Sequence, residues 1–334
     1  MKTRRLGANG PVVSVVGLGC MGMSDFYGPA DEAESIAAVH AALEAGITLI
    51  DTGDFYGMGH NEMLLREALK GGKRDRAVLS VKFGAMRGPD GSWLGYGMRS
   101  EQIKTALAYS LKRLGTDHID IYRPARLSPD VPIEEVAGAI KDLIALGYVR
   151  HLGLSEMSAD TVLKANAETP VIDLQIEYSL MSRGIEADIL PRLRQAGICI
   201  TAYGVLSRGL ISDAALKGGS MGGYRHVYPR FAKGNLRENL KLVEALARIA
   251  EQRCATVAQL AIAWVMSRGD DIIPLIGARK RTQLKESLGA LDMTLSAEEL
   301  KAVEAAMPAD AVKGSRYGEA QMAMLDSEKR SPSR

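Results

Sequence analysis

The sequence contains few of the residues that usually build disulfide frameworks or metal sites. Its three cysteines, Cys20, Cys199 and Cys254, lie far apart and form no CxxC pair. An odd and sparse set argues against a disulfide framework and favours a reducing compartment. The five histidines show no HxxxH or similar spacing, so we expect no metal site.

Long apolar runs and a strong net charge are also missing. No window approaches the roughly 18 consecutive apolar residues of a membrane span. Residues 1–22 begin with basic residues and a short apolar run but contain no clear cleavage site, so they do not predict a signal peptide. The net charge of +2 gives no field that would attract nucleic acid or a membrane surface. We expect a soluble, cytoplasmic protein with a small-molecule partner, either a monomer or a weak homo-oligomer.

The chain does contain a regular alternation of short apolar strands and helices. Of its 334 residues 46% are hydrophobic, which is typical of a well-cored globular protein. The strands are almost uninterrupted apolar runs, as in parallel sheets that are buried on both faces. Eight such strands, each followed by a helix, predict a closed (β/α)₈ TIM barrel. The predicted strands are 15–19, 47–51, 77–82, 119–123, 149–154, 172–176, 198–203 and 272–276.

An open doubly wound sheet is the alternative architecture. It requires a GxGxxG segment that directly opens a helix. Residues 17–22 match that spacing, but a loop containing Pro29 separates them from the next helical pattern. We therefore favour the barrel.

The predicted barrel carries three additions and shows no internal domain boundary. An N-terminal β-hairpin with a Gly/Asn turn precedes it. Long Gly-rich loops follow the third and seventh strands, at 84–99 and 204–235. We expect one domain over residues 1–334. Its barrel and C-terminal helix end near residue 310, and a polar tail over 311–334 is expected to fray.

Chemistry in a barrel concentrates at the carboxyl ends of the strands. Lys82 closes the apolar run Val78–Val81, and a desolvated lysine needs a carboxylate partner. Asp51, at the end of the neighbouring strand, is the obvious one. The polar or small residues at these strand ends are Gly19, Asp51, Lys82, Arg123, Ser155, Gln175, Tyr203 and residues 277–279.

Tyr56 follows Asp51 by five residues and completes a possible acid relay. A free phenol titrates near about 10 and is a poor proton donor at neutral pH. We expect the Lys82 cation to lower the pKa of Tyr56 toward the working range. Tyr56 would then protonate a carbonyl oxygen as a general acid. The alternative is an ordinary strand-to-helix loop with a buried aspartate and a half-buried tyrosine.

Several separated segments resemble the aldo-keto reductase superfamily, in particular the bacterial type, from about Arg5 to about Met307. They are LIDTGDFYG at 49–57, SLKRLGTDHID at 110–120, YVRHLGLS at 148–155, QIEYS at 175–179 and the segment 274–283. The resemblance implies a (β/α)₈ barrel that reduces aldehydes or ketones with NADPH, the cofactor lying extended across the barrel mouth.

The resemblance also implies roles for individual residues. Asp51, Tyr56 and Lys82 match the catalytic aspartate, acid tyrosine and lysine. Ser155 and Gln175 match the side chains that bind the nicotinamide carboxamide, and Tyr203 matches the aromatic residue that stacks on the nicotinamide ring. The segment for the adenosine end comprises Ile276, Gly277, Ala278, Arg279, Gln283 and Glu286, with Ser287 where an asparagine is usual. Further expected cofactor contacts are Gly19, Met21, Asp51, Leu206 and, over the pyrophosphate, Lys217.

A basic cluster at the last strand-to-helix junction favours NADPH over NADH. Arg279, Lys280, Arg281 and Lys285 lie where a barrel and a helix N-terminus suit a phosphate. An arginine can hold a 2′-phosphate with two hydrogen bonds. An ordinary surface charge run is the alternative explanation.

The main departure from the family lies after the fourth strand. The resemblance implies a fourth catalytic residue, a histidine, at the position of Ala125. Loss of one oxyanion donor costs about 3 kcal/mol, and an alanine there would open space for a bulky or cyclic ketone. We expect an active reductase; the alternative is an NADPH-binding regulatory protein with little turnover. The expected substrate contacts are Tyr56, Trp93, Tyr96, Arg123 and Ala125.

Overall fold

The structure, a computed structural model, describes residues 1–24, 26–219 and 223–329. The chain opens with an antiparallel hairpin of β1 (Thr3–Arg5) and β2 (Val12–Ser14), as predicted. Leu6 and Val13 are fully buried beside Leu49 and Ile172 of the barrel strands. The hairpin therefore covers the end of the barrel at which the strands begin.

Eight parallel strands close into a barrel in the order β10-β11-β12-β3-β4-β5-β8-β9. The (β/α)₈ prediction is thus confirmed. Predicted and observed strand bounds differ by a few residues, chiefly because Val15 and Val16 connect the hairpin to the barrel. The barrel strands are β3 (Gly17–Gly19), β4 (Leu49–Gly53), β5 (Val78–Phe83), β8 (Ile119–Pro124), β9 (Val149–Ser155), β10 (Val171–Glu177), β11 (Cys199–Tyr203) and β12 (Ile272–Gly277).

Helices cover the outside of the barrel and bury apolar faces against it. Such faces arise from apolar residues repeated at helical spacing, as at Val243, Leu246 and Ala250 in α8. The helices are α1 (Glu32–Glu44), α2 (His60–Ala68), α3 (Ser100–Leu114), α4 (Ile133–Ala145), α5 (Ala159–Glu168), α6 (Ile189–Gln195), α7 (Asp213–Leu216), α8 (Lys233–Gln252), α9 (Val257–Met266), α10 (Arg281–Leu288), α11 (Ala297–Ala306) and α12 (Glu319–Ala323).

Both predicted long loops are present at the carboxyl ends of strands. The loop after β5 contains a small hairpin of β6 (Ala85–Arg87) and β7 (Trp93–Tyr96). The loop after β11 contains α7 and short 3₁₀ turns, and residues 220–222 of it lie outside the described residues. Residues 17 and 19 lie in β3, and α1 begins only at Glu32, so no helix follows the GxGxxG match directly.

The C-terminal tail differs from the prediction. Tyr317, Leu325 and Asp326 are buried, and the Arg316 guanidinium donates to both carboxylate oxygens of Glu156 at the end of β9. The tail is held because Arg316 pairs with a buried acid at the barrel mouth. Fraying is therefore wrong for this part of the tail; residues 330–334 lie outside the described residues.

The described ranges contain neither a helix that could span a membrane nor a cluster of metal-ligating side chains. No helix there has the length and apolar character needed to span a membrane. No group of three or more His, Cys, Asp or Glu side chains there is arranged to hold a metal ion.

Candidate active site

A compact set of polar side chains lies where β4, β5 and β10 end. Lys82 Nζ forms an ion pair with Asp51 Oδ1 and donates to Gln175 Oε1 at 2.8 Å. Gln175 Nε2 and Ser80 Oγ both donate to Asp51 Oδ2, at 2.7 and 2.8 Å. Asp51 and Lys82 are 3% and 6% exposed. The predicted pairing of these two residues is present, with Gln175 bridging both.

Tyr56 lies beside this pair on a 3₁₀ turn that follows β4. Its ring centroid lies 5.3 Å from Lys82 Nζ, and its side chain is 5% exposed. Phe55 packs edge-on against the Tyr56 ring at 4.8 Å. Gly53 permits this turn, because a Cβ there would lie 3.2 Å from the Phe55 ring and 3.3 Å from the Tyr56 ring. The backbone therefore brings the phenol against the lysine.

The pKa of Tyr56 differs from the prediction. Burial raises the pKa of Tyr56 well above its usual value and the Asp51 carboxylate adds to this, while Arg126 opposes it. The predicted lowering by Lys82 fails because Asp51 neutralises that cation at short range. Burial also lowers the pKa of Lys82. In this structure Tyr56 thus holds its proton firmly at neutral pH.

Arg123 does not face a substrate. It is 0% exposed and its guanidinium forms an ion pair with Asp173 at 3.0 Å inside the barrel. Arg123 also donates to Ser80 Oγ at 3.2 Å. Its role as a substrate contact is therefore corrected: strand alternation turns the side chain into the barrel interior rather than toward the mouth.

Ala125 is buried just after the end of β8. It is 2% exposed, and its backbone N–H donates to the Phe83 carbonyl at 2.9 Å. Arg126, the next residue, donates to the Ala125 carbonyl at 2.6 Å. Its charge acts on the phenols of Tyr56 and Tyr96. A cation therefore lies close to the place where the resemblance implies an imidazole.

The residues expected around a nicotinamide are gathered at the ends of β9, β10 and β11. Ser155 Oγ is buried and has no hydrogen-bond partner among the described residues. An orphaned hydroxyl of this kind fits a carboxamide, because buried polar groups normally have partners. Gln175 also lies here, although it is already bonded to Asp51 and Lys82. The half-buried Tyr203 donates its hydroxyl to Glu156 at 2.7 Å and lies 2.8 Å from the Tyr317 hydroxyl.

The residues expected at the adenosine end are only partly accessible. Ile276, Ala278 and Ser287 are 2%, 3% and 5% exposed. Gly277, Gln283 and Glu286 are exposed, Arg279 is half-buried, and Gln283 accepts from the Arg279 backbone N–H at 3.2 Å. Gly19, Met21 and Leu206 are half-buried near strand ends.

The two other expected contacts lie on loops. Trp93 is 43% exposed and lies 5.9 Å from Phe55, ring centroid to centroid. Tyr96, half-buried, lies on the same hairpin. Lys217 is exposed at the end of α7, and its side chain makes no hydrogen bond or ion pair with the described residues. Trp93 and Tyr96 thus extend the aromatic side of the site, while Lys217 stands apart.

The sequence did not predict a role for two acids and for three arginines of the loops and tail: Glu156, Glu177, Arg208, Arg230 and Arg316. Glu156 is fully buried at a positive φ of 54°, an uncommon conformation for a non-glycine residue. The Arg316 cation holds the pKa of Glu156 far below its usual range although burial opposes this. Glu177 binds Arg208 and Arg230 in the same way. Acids directly following the strand-end Ser155 and Ile176 were the available indication.

The chain is similar to known proteins over most of its length. The family model described as "Aldo/keto reductase family" matches residues 15–308. The chain belongs to this family. It is 38% identical over 317 residues to the probable aldo-keto reductase 1 of Glycine max, covering 94% of this chain and 91% of that protein.

Solved structures of aldo-keto reductases have the same fold. A glycerol dehydrogenase from Gluconobacter oxydans superposes with a TM-score of 0.83 at 28% identity, covering 99% of this chain and 98% of that chain. An aldo-keto reductase from Bacillus halodurans, in its holo form, gives 0.77 at 28% identity, covering 92% and 97%. Membership makes this chain an oxidoreductase of a family that reduces carbonyl compounds with a nicotinamide cofactor.

Proposed function

We propose that this aldo-keto reductase reduces an aldehyde or ketone to an alcohol with NADPH, and that Tyr56 supplies the proton. The observation that carries the proposal is the buried cluster of Asp51, Lys82 and Tyr56 at the ends of β4 and β5. When bound, the nicotinamide supplies the hydride. Ser155 and Gln175 would hold its carboxamide, and Tyr203 would support its ring.

Proton transfer from Tyr56 explains the arrangement of charges. Because burial raises the pKa of Tyr56, the phenol carries its proton at neutral pH, and giving it up costs more than for a free phenol. The phenolate formed on donation therefore needs positive charge nearby, which Arg126 supplies. Phe55 packs edge-on against both Tyr56 and Trp93 and forms an apolar side of the site.

The decisive experiment is the Tyr56→Phe substitution. We expect it to lower kcat for every carbonyl substrate by about 10²–10⁴-fold, because a positioned general acid contributes that much. The dissociation constant of NADPH, measured by fluorescence titration, should stay near the wild-type value. A variant that retains the full rate would contradict the assignment of Tyr56 as the acid.

A preference for NADPH over NADH is supported by the basic cluster at the start of α10. Arg281 forms an ion pair with Glu34, which accepts hydrogen bonds from its guanidinium at 2.9 Å and from its backbone N–H. Arg279, by contrast, donates to backbone carbonyls of residues 27–29. Arg279, with the exposed Lys280, is therefore the better candidate for the 2′-phosphate.

We expect Arg279→Ala to weaken NADPH binding at least tenfold more than NADH binding, since only NADPH carries the 2′-phosphate. Fluorescence titration with each cofactor measures this. Arg281→Ala is the matched control and should weaken both cofactors equally. Equal losses for the two cofactors in Arg279→Ala would refute the phosphate role.

A second candidate function is a NADPH-binding regulatory protein with little turnover. The hydrogen bond between Tyr203 and Tyr317 favours it, since the tail here lies against the residue expected to support the nicotinamide. Tight NADPH binding without oxidation by any carbonyl compound would establish it. Turnover with aldehydes or ketones supports the reductase.

The cellular location of the protein and the size of its substrate are narrower parts of the proposal. The three cysteines are free, which supports a reducing compartment such as the cytoplasm. A bulky or cyclic ketone is the substrate class that we infer, because the alanine at residue 125 is smaller than the imidazole that the resemblance implies there.

A further inference from the structure

We propose that Arg126 binds a carboxylate on the substrate, so that the reduced compound is an aldehyde or ketone that also carries a carboxylate group. The inference rests on the proposed function, since it concerns the substrate of the same site. Arg126 is a substrate-binding residue in this proposal; it exchanges no hydride or proton itself, although its charge also acts on the Tyr56 phenol.

Arg126 lies on the substrate side of the mouth. It follows Ala125, immediately after the end of β8. Its charge acts on the acid Tyr56, on Lys82 and on Tyr96 of the β6–β7 hairpin, and also on Tyr203, the residue expected to support the nicotinamide. The residues expected to hold the cofactor phosphates, 276–283, belong to the far end of β12 and the start of α10. A group bound by Arg126 would therefore belong to the molecule that Tyr56 protonates.

The neighbouring arginines are all paired with carboxylates. Arg316 pairs with Glu156 at the end of β9. Arg208 and Arg230 share Glu177 at the end of β10, at 3.2 and 3.1 Å. Each of these three cations thus has a carboxylate within ion-pair distance.

Arg126 is the exception among these four arginines. Within residues 1–24, 26–219 and 223–329, no carboxylate oxygen lies within 4.0 Å of its guanidinium, and its one hydrogen bond goes to the Ala125 carbonyl. Yet the side chain is half-buried, and the groups whose charges act on it are the phenols of Tyr96, Tyr203 and Tyr317 and the carboxylate of Glu156, which Arg316 already pairs. A desolvated charge without a counter-ion is costly.

A carboxylate is the ligand that best fits the arrangement around the Arg126 guanidinium. One end of the guanidinium is held by the Ala125 carbonyl, and the remaining N–H groups present a planar fork. Such a fork matches a carboxylate with two hydrogen bonds. The Tyr96 hydroxyl can donate a further hydrogen bond to an anion, whereas the Tyr203 hydroxyl already donates to Glu156. A neutral substrate would leave the Arg126 cation without a carboxylate in direct contact when water is excluded.

The first experiment compares two aldehydes, 4-formylbenzoate and its methyl ester, which differ in the negative charge and in one methyl group. Ratios of kcat/KM for the acid over the ester are measured for the wild type, Arg126→Met, Arg126→Lys and the control Arg150→Met. Arg150 is an exposed arginine at the opposite end of the barrel, in β9. We expect the wild type to favour the acid, and the ratio to fall at least tenfold in Arg126→Met.

The variants separate geometry from charge. Arg126→Lys should lose only part of the preference, because a lysine keeps the charge but not the fork, and Arg150→Met should keep all of it. A wild type that favours the ester tenfold, or a ratio that Arg126→Met leaves unchanged, overturns the proposal.

A second measurement needs neither turnover nor cofactor. Calorimetric titration with 4-(hydroxymethyl)benzoate, the alcohol formed from the same acid, is made on the wild type and on Arg126→Met. We expect at least tenfold weaker binding to the variant; equal affinities, or no binding to either protein, overturn the proposal. Arg126-dependent binding without reduction of any carbonyl would reject the proposed function and leave the anion site standing.

Discussion

Asp51 is the residue on which the polar contacts of the site converge. It accepts hydrogen bonds from Lys82, Ser80 and Gln175. Because one carboxylate satisfies all three donors, it holds Lys82 in place beside Tyr56 while cancelling most of its charge. At the residue scale, Asp51 thus serves mainly to fix the position of Lys82 beside Tyr56.

The sequence predicted the members of this cluster but not their electrostatics. A lysine at the end of an apolar strand requires a carboxylate, so the partnership of Lys82 with Asp51 followed from residue type alone. The direction of the pKa shift of Tyr56 did not, since it depends on how deeply the phenol is buried. The inward direction of Arg123 was missed for a similar reason: one residue along a strand changes the face.

Asp54 allows a test of how the burial of a carboxyl group changes the pH dependence of the free energy of unfolding. It lies just after β4 and accepts from the Gly84 backbone N–H at 3.3 Å, while its Oδ1 has no partner among the described residues. Burial, with a contribution from the nearby Glu62, raises the pKa of Asp54 to about 7. In the unfolded chain an aspartate titrates near about 4.

The folded protein therefore binds a proton that the unfolded chain releases. This stabilisation is present below about pH 4 and is lost as pH rises through about 7. We expect the free energy of unfolding to fall between pH 5 and pH 8 by about 2 kcal/mol more in the wild type than in Asp54→Asn. Urea unfolding at both pH values measures the difference. Identical pH dependences would show that Asp54 titrates normally.

Glu62 acts in the same direction, since burial raises its pKa as well. Asp54→Asn leaves Glu62 in place, so the difference between the two proteins isolates Asp54. Glu156, whose pKa is lowered, stays ionised in both states over this range and contributes no slope.

Among the elements, the C-terminal segment 315–329 is the one whose structure could not be predicted from its sequence. Its polar composition is typical of a fraying tail. What orders it is a set of partners far away in the chain: Glu156 accepts from Arg316 and from Ser327, and Ser158 donates its backbone N–H to Asp326. Strands and helices, in contrast, were predictable because their apolar periodicity is local.

Arg316→Met tests whether this ion pair orders the segment. The substitution leaves Glu156 buried without its main counter-ion, which costs more than the loss of a surface contact. We expect at least tenfold faster amide hydrogen exchange over 315–329, measured by mass spectrometry, with exchange in α8 unchanged. Arg248→Met, at an exposed site on α8, should leave the tail protected. Wild-type protection in Arg316→Met would mean that apolar contacts such as Leu325 suffice.

For the whole molecule, the informative feature is a chain of polar contacts through the barrel interior. Asp51 of β4 binds Ser80 of β5, which accepts from Arg123 of β8, and Arg123 pairs with Asp173 of β10. Thr201 of β11 also donates to Asp173. Eight strand-helix units sufficed to predict a closed barrel, whereas this polar interior required knowing which side chains face one another across it.

Gly153 of β9 makes room for the pair at the centre of that chain. A Cβ at residue 153 would lie 2.7 Å from Asp173 Oδ1 and 3.0 Å from Arg123 Cζ. The guanidinium also donates to the Leu154 carbonyl at 3.0 Å. The pair therefore connects strands on both sides of β9, and removing it should affect the barrel and the active site together.

Arg123→Met is expected to destabilise the protein by about 3–5 kcal/mol, because it leaves the buried Asp173 without its counter-ion. Arg123→Met combined with Asp173→Leu should recover much of that loss, since an apolar pair of similar volume replaces two desolvated charges. Urea unfolding of the single and double variants measures both effects.

The double variant still leaves Ser80 without its donor from β8, so kcat should remain below the wild-type value even where stability returns. Recovery of both would show that the interior pair serves the fold alone, whereas recovery of stability without activity would tie the barrel interior to the position of Asp51.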